Sequence, residues 1–193
     1  MESNIIDLTV TSPPYDNLRT YAGTLDWNFD IFKQVANELY RITKDGGVVV
    51  WVVGDATVKG SETGTSFRQA LYFKDIDFNL HDTMIWAKDT AAFPMASRYY
   101  QAFDYMFVFS KGSPKTVNLI QDNPNKYVGV RATGTNRRPD GTTQVISAVR
   151  LNSGKLVREF GVRLNYWYLP TEKNSKAFGH PAMFPKQSPA TTS

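Results

Sequence analysis

The chain has 193 residues, 41% of them hydrophobic, with no cysteine, two histidines and a formal net charge of +4. That length suits one domain able to bury its own core. The absent thiols exclude disulfides and thiolate metal sites, and two histidines leave little material for a transition-metal site or a Ser-His triad. No apolar run approaches the roughly 18 residues of a membrane span, and no basic-then-apolar leader opens the chain. A cytoplasmic protein without metal or membrane contact is therefore predicted.

In chain order, "NIIDLTVTS" is rich in Ile, Val and Thr and predicts a strand ending near Ser12. The segment "RTYAGTL" reads as a loop. "DWNFDIFKQVANELYRITKDGG" predicts a helix, with Phe29, Phe32, Ala36 and Leu39 at helical spacing, Asp26 as its N-cap and Gly46-Gly47 as its stop. "VVVWVVGD" reads as a strand covered on both faces. Strand, helix and strand together predict a right-handed parallel unit. "SFRQALYFKDI" predicts a second helix, and "LHDTMIWAK" and "FDYMFVFSKG" two further strands. His81 falls at the start of one of these and is read as structural. The first 110 residues thus predict an open α/β sheet.

Past Gly112 the chain changes character. Residues 1–110 hold 9 Lys/Arg against 14 Asp/Glu, a net −5, whereas residues 111–193 hold 13 against 4, a net +9. Such a basic half is the electrostatic footprint of a polyanion, nucleic acid above all, or else a solvated basic surface. Short strands are predicted around "TNRRPDGTT", where Pro139-Asp140-Gly141 signals a turn, and in "VRLNYWYLP". This region reads as an insertion within a single domain spanning 1–193. The tail "KQSPATTS" is polar and predicted to fray.

The chemistry concentrates in Ser12-Pro13-Pro14-Tyr15. Each proline fixes φ near about −65° and donates no hydrogen bond. Ser12 and Pro13 both precede a proline and are pushed to extended backbone. The result is a stiff loop at the carboxyl end of a strand, where open α/β sheets bind ligands. There the Ser12 hydroxyl and the Pro13 carbonyl are acceptors, and Tyr15 offers a flat face. An exocyclic amine of a base suits such a site. Two acceptors holding its hydrogens draw the nitrogen toward tetrahedral geometry and free its lone pair to attack an electrophile. A base within a duplex reaches the site only by flipping out.

"DLTVTSPPYDN" resembles the catalytic motif of the DNA methyltransferases that modify amino groups, cytosine N4 or adenine N6. "DGGVVVWVVGD" and "FDYMFVFSKGSPK" are similar to their following and closing strands, and "FGHPAMFP" to their late His-Pro motif. The order of these motifs matches the permuted beta arrangement of the family. The resemblance implies a Rossmann-like sheet, S-adenosylmethionine as cofactor and double-stranded DNA as partner, in a bacterial or phage-infected cell. It further implies that Ser12 and Pro13 hold the target amine, that Pro14 keeps the loop rigid, and that Tyr15 stacks on the flipped base. Thr11, His180, Pro181, Phe184 and Pro185 would lie against the cofactor. Residues 115–165 would form the target-recognition region. There Arg137 and Arg138 either contact groove or phosphate or belong to a solvated turn. Tyr99 and Tyr100 either shape the base pocket or pack. Ser before the prolines is the pattern associated with cytosine N4.

The family's Gly-Asp-Cys-type strand before the catalytic motif and its Phe-x-Gly-x-Gly strand after the His-Pro motif have no counterpart here. A partial sheet, truncated at both ends, is therefore expected. Its first strand would be an exposed apolar edge, a place for a homodimer to pair. Three readings follow: an amino-methyltransferase, a catalytically dead DNA-binding remnant of one, or a methyltransferase of RNA or glutamine, whose Asn-Pro-Pro-Tyr is related. The Ser, the late His-Pro motif and the basic middle region favour DNA.

Overall fold

The computed structural model describes residues 2–15, 27–89, 97–131, 135–145 and 155–169. Two compact units divide the chain, one of Met1–Val117 with Asn165–Ser193, the other of Asn118–Leu164.

The first unit is built on strands β1 (Ile6–Thr11) and β2 (Thr43–Val53), the short hairpin β3 (Thr57–Val58) and β4 (Ser61–Glu62), and strands β5 (Asn79–Ala87), β6 (Phe103–Ser110) and β11 (Tyr166–Tyr168). Its helices are α1 (Phe29–Ile42) and α2 (Thr65–Asp75). The main sheet has the order β1-β2-β6-β5-β11. β1 and β2 pair in parallel, β6 runs antiparallel to both β2 and β5, and β11 is parallel to β5. β1, β2 and β5 therefore share one direction, and their carboxyl ends lie on the same edge as the start of β6.

Helix α1 buries Phe32, Ala36 and Leu39, the stripe its spacing predicts. Its N-cap is Asn28, whose side-chain oxygen accepts from the backbone N–H of Asp30 and of Ile31, each at 3.0 Å. The predicted cap, Asp26, lies outside the described residues. The predicted glycine stop is also corrected. The helix ends at Thr43, which turns extended and donates both its N–H and its hydroxyl to Leu39 O. Lys111 Nζ donates to the carbonyls of Tyr40 and Thr43. With the helix end thus capped, no left-handed glycine is required there. Gly46 and Gly47 lie inside β2 instead. Gly46 takes φ +80°, and a Cβ there would fall 2.5 Å from the Lys115 side chain.

On the helix-bearing face, β2 contributes Val49, Trp51 and Val53 to a core with Ala70 and Phe73 of α2, Phe78, and Phe107 and Phe109 of β6. Phe73 stacks on Phe109 at 4.4 Å between centroids, and Trp51 meets both Phe32 and Phe73 edge-on. The buried Trp51 indole N–H donates to Gln69 Oε1 at 2.8 Å, so neither polar group is left unpaired by burial there. Each fully buried aromatic side chain contributes about 1.5–3 kcal/mol. The opposite face buries Val52, Trp86 and Met106, with Trp167 and Leu169 packed against them. β2 is thus covered on both sides.

The second unit holds β7 (Asn123–Pro124) paired with β10 (Phe160–Gly161), and the hairpin of β8 (Thr135–Arg137) and β9 (Thr143–Val145). No described residue in it is buried. No helix among the described residues is long and apolar enough to cross a membrane.

Candidate active site

β1 delivers the loop Ser12–Tyr15 to the shared sheet edge. Pro13 is buried, Pro14 and Tyr15 are half-buried and Ser12 is exposed. The Ser12 hydroxyl and the Tyr15 hydroxyl are 3.1 Å apart, and the Tyr15 hydroxyl lies 3.2 Å from Asp104 Oδ2. Asp104, second residue of β6, is 6% exposed. Its carboxylate pairs at 2.7 Å with Lys88 Nζ, just past the end of β5. Lys88 also sits 5.3 Å from the Trp86 ring centroid, and its backbone N–H bonds Ala102 O. The ends of β1 and β5 and the start of β6 are thereby joined in one chain, Ser12–Tyr15–Asp104–Lys88.

Gly54, immediately after β2, makes this approach possible. A Cβ there would lie 3.0 Å from Asp104 Oδ1 and 3.4 Å from the Tyr15 ring. Asp104, Lys88 and Gly54 were passed over in the sequence. The available signal was weak: an acid inside the apolar run "FDYMFVFS" and a glycine ending the strand "VVVWVVGD".

Next to Gly54, Asp55 has a structural task. Its carboxylate accepts from the Ser66 N–H at 2.8 Å and from the Ser66 hydroxyl. The N-cap of α2 is Gly64, in the left-handed region and without a side chain. Asp55 therefore supplies the acceptor and the negative charge that the helix start favours. Tyr105, neighbouring Asp104, has its phenol pKa raised, first by burial and then by the charges of Asp55 and Glu62. It remains a neutral hydroxyl well into alkaline solution.

Of the other residues singled out, Thr11 is half-buried at the end of β1, opposite Trp51. His180, Pro181, Phe184 and Pro185 lie outside the described residues. Arg137 closes β8, and Arg138 stands in the turn of the hairpin, both exposed. The Arg138 guanidinium bonds Gln144 Oε1 at 2.7 and 3.1 Å. Asp140 fixes that turn by accepting from the N–H and hydroxyl of Thr142, which lowers its pKa. Tyr99 and Tyr100 are exposed, as is His81, third residue of β5.

A carboxyl-edge Ser-Pro-Pro-Tyr loop on such a sheet has relatives. The chain is 54% identical over 198 residues to the orphan methyltransferase M.BamHII of Bacillus amyloliquefaciens, matching 97% of this chain and 71% of that one. A 28% identity over 141 residues links it to the type II beta methyltransferase M.BslI of a Bacillus strain, of which it spans 16%. Among solved structures, the cytosine-N4-specific PvuII DNA methyltransferase aligns with a TM-score of 0.55 at 21% identity. That alignment covers 95% of this chain and 61% of the PvuII chain, and it supports the fold. The model of the DNA methylase family that modifies N6 or N4 amino groups matches residues 6–191. Fold, loop and sequence kinship agree: the chain belongs to this DNA methylase family.

Proposed function

We propose that this chain carries the catalytic loop of a DNA amino-methyltransferase, moving a methyl group from S-adenosylmethionine to the exocyclic amine of a flipped base, cytosine N4 before adenine N6. The observation that carries the reading is the rigid Ser12–Tyr15 loop at the carboxyl edge, with the Ser12 hydroxyl exposed and anchored through Tyr15 to a buried acid. The Ser12 oxygen and the Pro13 carbonyl accept the two amine hydrogens and leave the nitrogen lone pair directed at the donor. The anchored Tyr15 ring offers a fixed stacking plane for the base. Ser at the first position supports N4 over N6.

S-adenosylmethionine supplies an electrophilic methyl group on sulfur. Thr11, the last residue of β1 and half-buried one residue before Ser12, is assigned to a polar portion of such a molecule, and His180, Pro181, Phe184 and Pro185 complete the assigned set. DNA recognition is assigned to the second unit, where residues 118–164 carry 8 Lys/Arg against 3 Asp/Glu. Arg137 and Arg138 at its hairpin are the proposed contacts.

The test is transfer of labelled methyl from S-adenosylmethionine to DNA, followed by digestion to nucleosides. N4-methylcytosine is the expected product, and N6-methyladenine would reverse the choice of base. Ser12→Ala is expected to lower kcat by about a hundredfold or more, as removal of a pre-aimed polar group does in comparable sites. Absence of transfer with salt-sensitive DNA binding retained would make the chain a DNA-binding remnant instead.

A further inference from the structure

We infer that Asp104, held by Lys88, is a positioning residue that makes Ser12 an obligate hydrogen-bond acceptor and so selects an amino over a carbonyl group on the incoming base. This rests on the proposed reading of Ser12–Tyr15 as the amine-holding loop and adds the origin of its polarity.

The logic follows from counting protons. Asp104 lies in an ion pair with Lys88, Nζ to Oδ2 at 2.7 Å, with side chains only 24% and 8% exposed. As the anion of that pair it can only accept. The Tyr15 hydroxyl, 3.2 Å from the same Oδ2, must therefore donate its single hydrogen to it. Tyr15 then has no hydrogen left for Ser12. The 3.1 Å contact between the two hydroxyls holds only if Ser12 donates to Tyr15. Ser12 in turn has spent its one hydrogen, and its exposed oxygen offers lone pairs alone. One buried charge thus orients every proton in the chain.

An amine, with hydrogens to give, satisfies that oxygen. A carbonyl at the same position confronts lone pairs with lone pairs, and the unpaired polar atoms penalise binding. With the polarity broken, the Ser12 hydroxyl is free to rotate and donate, so it accepts either group. Tyr15→Phe keeps the ring and removes the link. Asp104→Asn keeps the shape and replaces the pure acceptor by an amide that can also donate. Gly54 leaves room for both groups, with a Cβ at that position crowding Asp104 and Tyr15 alike.

The experiment is saturation-transfer NMR on the full chain with free nucleosides, comparing deoxycytidine with deoxyuridine and deoxyadenosine with deoxyinosine. The wild-type chain is expected to prefer the amino member of at least one pair by roughly tenfold. Tyr15→Phe and Asp104→Asn are each expected to reduce that preference about threefold or more, the Pro13 carbonyl retaining the remainder, and the double variant to add nothing further, because both act through one chain. Circular dichroism verifies folding, and Tyr15→Phe carries the test if Asp104→Asn does not fold. Equal binding of the two members by wild type, binding of neither, or a preference undiminished in Tyr15→Phe would overturn the inference. Loss of the proposed function reads differently, as absence of methyl transfer to DNA with the amino preference intact.

Discussion

In the sheet-bearing unit, eleven buried side chains from two helices, two strands and the turn at Phe78 meet in one cluster. Between Asn118 and Leu164 no described residue is buried. Two-residue strands, a tight hairpin and polar contacts hold that region together: Arg163 on Asp122, Arg138 on Gln144, Asp140 on Thr142. The first unit is stabilised by removing apolar surface from water, which is not weakened by charge screening and is indifferent to direction. The second relies on exposed, directional and screened interactions, each individually weak.

The largest expected contrast comes from large-to-small substitutions. Phe73→Ala opens a cavity among Phe32, Trp51, Phe78 and Phe109. It should cost about 3–5 kcal/mol in urea unfolding followed by tryptophan fluorescence. Val130→Ala, at a residue 56% exposed, should change the same midpoint by less than about 0.5 kcal/mol. A comparable cost at both positions would erase the distinction.

A smaller effect is expected at the buried ion pair. Lys88→Met leaves Asp104 uncompensated among apolar strands and should destabilise the sheet unit by about 2–3 kcal/mol, toward the lower end for a pair still partly open to water. Arg163→Met, the corresponding change in the second unit, should leave the global unfolding midpoint unmoved.

The smallest effect is a pH dependence at one ion pair of the second unit. The Arg163 guanidinium, hydrogen-bonded to Asp122, holds that carboxyl below its usual range. A carboxylate with a depressed folded pKa stabilises above its unfolded value of about 3.9 and loses that contribution as pH falls through the folded value. Acidification below about pH 4 should therefore loosen the Arg163 N–H bond to Ile120 O while the sheet amides stay protected. Amide exchange by NMR reads both. Asp122→Asn should remove the pH dependence of the Ile120–Arg163 bond.

Much of the sheet was legible because its signals are periodic or local. The α1 stripe and the continuous apolar run of β2 belong to single segments, and so does the stiffness of Ser12-Pro13-Pro14. Element ends were harder. Asp26 and Asn28 are both good capping types two residues apart, and only the geometry of the first turn decides between them. Gly46-Gly47 resembled a helix stop because the sequence does not show that Thr43 and Lys111 cap the carbonyls from either side. β11 is three residues long and exists as a strand only through pairing with β5. Asp104 was invisible as part of the site for a similar reason. It lies 89 residues from Tyr15, and only the return of β6 between β2 and β5 brings the two together.

That return also gives the site uneven mechanical support. Asp104 sits on β6, clamped by a ladder on each side, whereas Ser12 hangs from β1, which has β2 on one flank and, among the described residues, no strand on the other. Leu8 and Val10 on that strand are 59% and 55% exposed. The loop behaves as a cantilever: its root is fixed along one row of hydrogen bonds, and its tip is latched to the stiff centre of the sheet through Tyr15. Whatever pairs along the outer flank of β1 therefore also tightens the tip, so that contact made six residues upstream is felt at the Ser12 hydroxyl.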